Sequence, residues 1–167
     1  MDRRIILGIG VATMLAACSS SQNSGAPQSQ QGIVALQQST SADGGTRVSV
    51  RSLPTAGTIV TMVGQLRYDA SQLQMKSCEL NPQIGDGTPA GKALQFAEPS
   101  PGLISAVVVG GLEPLPQSTE LFSCTFAAAS GASSGPVTVH ADGNVSDTTF
   151  EDREFVAEAT IATNAGR

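Results

Sequence analysis

Residues 59–68, IVTMVGQLRY, alternate between apolar and polar side chains over almost their whole length. Because successive side chains of an extended strand point to opposite sides of a sheet, this period of two predicts a strand with one face in a core. The side predicted to be buried holds Val60, Met62, Leu66 and Tyr68. The side predicted to face outward holds Thr61, Val63, Gln65 and Arg67.

Similar short apolar segments recur along the chain, at residues 33–36, 47–50, 73–80, 92–96, 103–109, 121–127, 137–140 and 155–161. Clusters of Gly, Pro, Asp and Ser separate them, at residues 43–45, 54–57, 85–87, 99–102, 110–111, 130–135 and 142–144. No segment keeps a helical spacing for three turns. The sequence therefore predicts an all-β fold, an antiparallel β-sandwich of about nine strands in a jelly-roll arrangement.

Residues 103–109 are apolar on both faces of their predicted strand. Such a strand is either central and covered on each side, or has an outer face that meets a partner. We favour the covered strand, because buried apolar residues are the commoner case.

The first eighteen residues are typical of a bacterial lipoprotein signal. Arg3 and Arg4 precede an uncharged run, residues 5–17, which as a helix would cover about 20 Å, too short for the roughly 30 Å hydrocarbon core. Small residues then lead to Cys18, whose thiol would accept the lipid. An ordinary secretory signal is the alternative. We predict a cleaved signal peptide at residues 1–17 and a lipid anchor in a membrane through Cys18.

Residues 19–31, SSSQNSGAPQSQQ, lack any apolar periodicity. Such a segment cannot bury enough apolar surface to offset its ordering entropy, so residues 18–31 are predicted to be a lipidated cysteine with a disordered linker. The linker would reach about 20 Å if it behaves as a Gly/Ser-like coil. Residues 32–167 are then one domain. Ser19, where an Asp would retain the protein in the inner membrane, predicts a cell-envelope location at the outer membrane.

The chain carries a formal charge of −5, which becomes −6 once Asp2, Arg3 and Arg4 are removed with the signal. No run of Lys or Arg is present. This balance argues against nucleic-acid binding and against electrostatic docking on anionic lipid.

Two cysteines remain once Cys18 is assigned to lipid. Cys78 and Cys124 lie in strand-like segments of an exported, oxidising context, which predicts a disulfide between them. Closing the loop 78–124 would stabilise the fold by about 4 kcal/mol in the chain-entropy model. Two free buried thiols and a metal pair are the alternatives, the second weakened by the presence of a single histidine.

Residues 64–73, GQLRYDASQL, resemble the signature of cohesin-like domains, in which a hydrophobic strand runs into Tyr-Asp-Pro-Ser-x-Leu. Residues 121–126, LFSCTF, resemble the next signature strand, and the turn 130–135 follows as in that family. Ala70 replaces the usual proline, and the Cys78 and Cys124 pair is a further departure from cellulosomal cohesins. The resemblance implies a cohesin-like β-sandwich and a protein partner, dockerin-like or another envelope protein.

Motifs that suggest chemistry are weak in this chain. Residues 131–135, GASSG, match the G-x-S-x-G nucleophile pattern, but a strand-like segment rather than a helix follows. The lone His140 is predicted to be a surface residue, and the acidic residues between Asp142 and Glu154 a solvated turn rather than a calcium loop. Asp69 is predicted to cap a turn, with the ring of Tyr68 buried beside it. We predict no enzyme activity, no cofactor and no metal.

The chain has no tryptophan and one tyrosine, so it lacks the exposed aromatic strip that modules binding crystalline polysaccharide use. We therefore predict a non-enzymatic binding module that recognises another protein through one sheet face. The candidate contact residues are Thr61, Val63, Gln65 and Arg67, with Lys92 and Gln95 from a neighbouring strand. The alternative is carbohydrate or polysaccharide binding through polar loop residues.

Overall fold

The computed structural model describes residues 32–41 and 44–163, so the predicted signal peptide and linker lie outside the described residues. Nine strands span most of the domain: β1 Val34–Thr40, β2 Thr46–Ser52, β3 Thr61–Arg67, β4 Leu73–Leu80, β5 Lys92–Ser100, β6 Leu103–Gly110, β7 Glu120–Ala128, β8 Gly135–Ser146 and β9 Asp152–Thr163. Two one-turn 3-10 helices, Pro54–Ala56 and Pro82–Ile84, each begin with a proline and send one buried side chain into the core.

The strands form two sheets. One has four strands in the order β1-β2-β7-β4, and the other has five in the order β5-β6-β3-β8-β9. Every strand pair is antiparallel. The predicted all-β sandwich of nine strands is confirmed. No helix in the described part of the chain is both long and apolar enough to cross a membrane.

The core lies between the inner faces of the two sheets. The alternation predicted for residues 59–68 is confirmed, since the apolar side of β3 is buried and Val63 and Arg67 on its other side are exposed. The buried side chains that meet across the core include Val48, Val50, Phe122 and Phe126 from one sheet and Met62, Leu66, Ile104 and Val108 from the other.

Cys78 and Cys124 are joined by a disulfide. They are direct partners across β4 and β7, with their Cα atoms 4.1 Å apart. Both are buried, so the predicted bridge ties the edge strand β4 to its neighbour inside the core.

The predicted turn at residues 142–144 is wrong. Asp142, Gly143 and Asn144 continue β8 up to Ser146, and the chain turns at residues 147–151 instead. Gly143 is a strand residue because it pairs with Gly64 at a very close approach: a Cβ on Gly143 would lie 2.2 Å from the Val63 carbonyl oxygen. Glycine within a strand often marks such a close approach rather than a turn.

The expectation that β6 is covered on both faces is also wrong. Its inner residues are buried, but the outer ones, among them Leu103, Val107 and Val109, are only half-buried. β6 is interior within its sheet, between β5 and β3, yet no strand or helix of the described residues packs over its outer side.

Candidate functional site

The outward side of the five-stranded sheet, called the outer face below, gathers most of the predicted contact residues. Its register follows from the strand pairing. One row of directly opposed residues crosses all five strands, running Gln95, Val107, Val63, Asn144 and Glu154. The next row runs Ala97, Ser105, Gln65, Asp142 and Val156.

The β6 and β3 side of the outer face is apolar. Val63 is 55% exposed, and its partner Val107 is half-buried beside it. Val109 extends this surface along β6 toward the end of the strand. Exposed apolar side chains in a flat sheet are a common feature of protein-binding surfaces, where a few of them carry most of the binding free energy.

The β8 and β9 side is mainly polar and acidic, with the 77% exposed Val156 as its apolar exception. The Arg67 guanidinium contacts both carboxylate oxygens of its diagonal neighbour Asp142 and donates a 2.9 Å hydrogen bond to the Gln65 side-chain oxygen. His140 Nδ1 lies 3.3 Å from a carboxylate oxygen of Glu158, its direct partner on β9. The Arg67–Asp142 ion pair is solvent-exposed, so it contributes little to stability, about 0–1 kcal/mol. Its main effect is on the charge pattern of the outer face.

Five of the six predicted contact residues lie together on this face. Thr61, Val63, Gln65 and Arg67 follow one another at alternate positions of β3. Gln95 lies on the same face two strands away, opposite Val107 on β6. The alternation of β3 was sufficient to place the first four.

The prediction that Lys92 is a contact residue is wrong. Its side chain is only 2% exposed, and its ammonium donates a hydrogen bond to the Gly111 carbonyl oxygen. Burial lowers the pKa of this lysine, and the charge of Glu113 acts in the opposite direction. Lys92 and Gln95 are three residues apart on one strand, so they must face opposite sides of the sheet. Lys92 ties the start of β5 to the loop after β6 and is not a surface contact.

The sequence did not predict the other residues of the outer face. They belong to β6, β8 and β9: Val107, His140, Asp142, Asn144, Glu154, Val156 and Glu158. The alternation of His140, Asp142 and Asn144 was a signal for a strand, but the glycine between the last two suggested a turn. For β9, only strand pairing shows which sheet it joins.

The remaining sequence motifs have structural roles. Ser133 lies in the turn between β7 and β8, where its amide and hydroxyl lie 3.1 and 3.0 Å from the Gln72 side-chain oxygen. A strand follows, so this G-x-S-x-G segment lacks the helix that a nucleophile elbow needs. The Asp147 carboxylate accepts hydrogen bonds from the backbone amides of Thr149 and Glu151, which builds the β8–β9 turn.

Tyr68 and Asp69 have the predicted roles. The Tyr68 ring packs edge-on against Phe126, with centroids 5.1 Å apart, and its hydroxyl donates to the Glu98 carboxylate. Burial and this hydrogen bond raise the pKa of Tyr68 to about 12. The Asp69 carboxylate accepts hydrogen bonds from the hydroxyl and the amide of Ser71, and these bonds lower its pKa.

No protein-family model and no curated protein matches the sequence. Solved structures match its fold. CaCohA2 of Clostridium acetobutylicum, in complex with a variant of CaDoc0917, is 18% identical, with 78% of this chain and 98% of that chain covered at a TM-score of 0.64. The cohesin module of a family 33 glycoside hydrolase from Clostridium perfringens is 9% identical, with 80% and 98% covered at a TM-score of 0.63.

The sixth cohesin of scaffoldin B from Acetivibrio cellulolyticus, solved in complex with a mutant Cel5 dockerin, also matches. It is 15% identical, with 75% of this chain and 96% of that chain covered at a TM-score of 0.54. At these identities the likeness concerns the backbone architecture. The two-sheet jelly-roll sandwich of this chain has the cohesin fold.

Proposed function

We propose that this chain is a lipid-anchored, extracytoplasmic binding module without enzyme activity, and that it recognises another protein through the outer face of its five-stranded sheet. The observation that carries the proposal is the composition of that face. Val63, which is exposed, and the half-buried Val107 and Val109 provide an apolar centre, with the Arg67–Asp142 pair at its side. An apolar centre with a polar border is the usual anatomy of a protein interface.

The structural neighbours support a protein partner. The Acetivibrio cellulolyticus cohesin was solved bound to a dockerin, and a Clostridium thermocellum cohesin, Coh-OlpC, was solved in a cohesin–dockerin complex. We extend this to the present chain as a proposal, with a dockerin-like or other envelope protein as the partner. The outer face has an acidic side, formed by Asp142, Glu154 and Glu158, so a partner with basic residues at one border fits it best.

A binding experiment with two matched variants tests the proposed face. Val63→Glu places one negative charge at the apolar centre, whereas Gln74→Glu places one at an exposed position of β4 in the other sheet. Each variant and the unaltered protein are immobilised and exposed to envelope extract of the native host, and the retained proteins are quantified by mass spectrometry. We expect a specific protein retained by the unaltered chain and by Gln74→Glu, but lost with Val63→Glu.

Purified candidates from that experiment are then measured directly by titration calorimetry. A candidate that binds all three chains with equal affinity contradicts recognition through the outer face. Loss of binding with Gln74→Glu alone would assign recognition to the four-stranded sheet instead.

The anchor is proposed from Cys18, which lies outside the described residues. Cys18→Ser removes the thiol that would be acylated, so the variant should be released from membranes or should accumulate as uncleaved precursor. Cell fractionation and intact-mass measurement of the processed chain check this. Normal processing with unchanged membrane fractionation would contradict the lipoprotein proposal and, with it, an outer-membrane location.

A further inference from the structure

The sandwich has two ends, and the chain enters at one of them. Here the proximal end is the end where β1 begins, after Gly32 and Ile33. Because the strands are antiparallel, the segments 53–60, 81–91, 111–119 and 147–151 also lie at this end. Hydrogen bonds from the Thr55 hydroxyl to the Gly32 carbonyl and from Arg153 to the Thr58 carbonyl tie these segments together.

Two large apolar side chains are exposed in loops of the proximal end. Phe150 is 70% exposed in the turn between β8 and β9, and Leu112 is 66% exposed in the loop after β6. The other large apolar side chains found exposed in the described residues, Val63, Phe96 and Val156, lie within strands rather than in distal loops. The proximal end therefore differs from the distal end in the chemistry of its loops.

Phe150 is held in a backbone conformation that does not suit its residue type. Its φ is 61°, in the left-handed region that favours glycine, and a bulky residue there is strained. The Asp147 carboxylate fixes this conformation by accepting hydrogen bonds from the Thr149 and Glu151 amides. The fold thus retains both strain and an exposed ring at this position, although glycine would avoid both.

The loop carrying Leu112 is fixed on both sides. Before it, the Gly111 carbonyl accepts a hydrogen bond from the buried Lys92. After it, the Leu115 amide donates a 2.7 Å hydrogen bond to the Ile59 carbonyl, and the Leu115 side chain is buried. Leu112 is therefore exposed between two residues, Gly111 and Leu115, that hydrogen bonds hold in place.

Phe150 and Leu112 both lie in loops that follow strands of the five-stranded sheet, β8 and β6, at their proximal ends. The order β6-β3-β8 places two strand spacings between their loops, on the order of 10 Å. This separation would let both side chains enter one flat surface at the same time.

We infer that the proximal end is a membrane-contacting surface, on which Phe150 and Leu112 enter the interfacial region of the bilayer and set the orientation of the domain. The inference rests on the proposed anchor at Cys18. Thirteen residues separate Cys18 from Gly32, and the predicted linker would reach about 20 Å as a Gly/Ser-like coil. The chain enters the sandwich at the proximal end, so this end faces the bilayer. The anchor also raises the effective lipid concentration there, so that two apolar side chains are enough to hold the domain against the membrane.

The charges of the proximal end define which bilayer it prefers. Glu113, Asp147, Glu151 and Asp152 surround the two apolar side chains in sequence and outnumber the nearby Arg153. Carboxylates are repelled by anionic headgroups, so the preferred surface is zwitterionic and the contact weakens as anionic lipid is added. In this orientation the strands rise from the membrane, and the outer face remains open to a partner.

The chain has no tryptophan, so a single introduced indole reports on one position. Phe150→Trp places it in the proximal turn, and Val156→Trp, at an exposed position of β9, is the matched control. Each chain, starting at Cys18, is coupled through that thiol to maleimide lipid in phosphatidylcholine vesicles. Coupling imposes the anchor chemically, so the result does not depend on whether cells lipidate Cys18.

We expect the emission of the Phe150→Trp chain to shift to the blue on coupling and to be quenched by lipids brominated near the headgroup. The Val156→Trp emission should change little. Replacing part of the phosphatidylcholine with phosphatidylglycerol should reduce the blue shift. If both indoles stay equally exposed to water, or if the Phe150→Trp emission responds to envelope protein but not to vesicles, the membrane contact is wrong.

Phe150→Gly provides a second measurement. Glycine relieves the strained φ, so the variant should melt at a higher temperature than the unaltered chain. In the lipid-coupled chain it should reduce the partitioning of the proximal end into phosphatidylcholine, seen as a loss of the quenching of a Leu112→Trp indole by headgroup-brominated lipid. A stabilised variant with unchanged partitioning would overturn the inference. Release of Cys18→Ser in cells, by contrast, tests only the proposed anchor.

Discussion

Gly64 on β3 and Gly143 on β8 are directly paired, and the ring of Phe155 lies against Gly64 where a side chain would otherwise be. A Cβ on Gly143 would lie 2.2 Å from the Val63 carbonyl oxygen and 2.5 Å from the Gly64 Cα. Both contacts are to backbone, which cannot move aside without disturbing the strand pairing. The pair therefore sets how closely β3 and β8 approach directly beneath the outer face.

Gly143→Ala should be strongly destabilising for this reason. We expect a loss of about 2–3 kcal/mol in unfolding free energy, the upper part of the range for overpacked core sites, measured by urea denaturation. Gly135→Ala is the matched control on the same strand, because its Cβ would meet nothing within 4 Å. It should change stability by about 0.5 kcal/mol or less. Equal losses from the two substitutions would contradict the close pairing.

The Cys78–Cys124 bridge should contribute most of its stabilisation by restricting the unfolded chain. Reduction should lower the melting temperature substantially, with an upper limit of about 4 kcal/mol in unfolding free energy. Mass spectrometry of peptides from unreduced protein should find the two cysteines linked. Two alkylatable thiols in protein prepared from the periplasm would contradict the bridge.

Glu120 should make stability depend on pH in the acid range. Burial raises its pKa, but hydrogen bonds from Ser49 and Arg47, each 2.6 Å long, outweigh burial and the net pKa is lowered. A carboxyl whose folded pKa is lowered stabilises the fold above its ordinary pKa of 4.5 and loses this contribution as pH falls through the folded value.

Glu120→Gln lacks this titration. The difference in unfolding free energy between the unaltered protein and the variant should therefore be largest near neutral pH and shrink below about pH 4.5. Thermal unfolding across this range measures it. A difference that stays constant down to strongly acidic pH would show that Glu120 is not stabilised as a carboxylate.

Arg67→Glu should weaken partner capture without unfolding the domain. The Arg67–Asp142 pair is exposed, so its loss should cost about 1 kcal/mol or less, whereas the charge pattern of the outer face is inverted at this point. Combining Arg67→Glu with Asp142→Arg restores a pair in reversed order and serves as the stability control. If Arg67→Glu leaves capture intact while substitutions in the 147–151 turn abolish it, recognition uses the loop end and not the sheet face.

The exposed aromatic side chains of the described residues, Phe96 in β5 and Phe150 in the β8–β9 turn, lie on different elements and form no strip. The one tyrosine, Tyr68, is buried against Phe126. We therefore expect no retention on insoluble cellulose or chitin in pull-down assays. Retention there would favour the alternative of carbohydrate binding by polar loop residues.

The alternation of apolar and polar side chains along β3 predicted most of the candidate site. This strand has one buried face, so its period of two determines which side chains point to solvent. The prediction failed for Lys92, where the residue type suggested exposure but the strand parity places the side chain inward. A long aliphatic stem can be buried as long as the ammonium finds a carbonyl, here that of Gly111. For the exposure of Lys92, residue type was a poorer predictor than position in the alternation of the strand.

The sequence by itself determined most of the strands, the buried face of β3 and the pairing of Cys78 with Cys124, since these depend on periodicity and on cysteines placed in strand-like segments. Tertiary structure alone decided what the glycines do and which strands lie side by side. Gly143 continues β8 because Gly64, distant in sequence, leaves room for a close approach. β9 brings its acidic residues to the outer face because it pairs with β8, and the direction of antiparallel pairing gathers Phe150, Leu112 and the start of β1 at one end. Such non-local contacts leave no periodic signal in the chain.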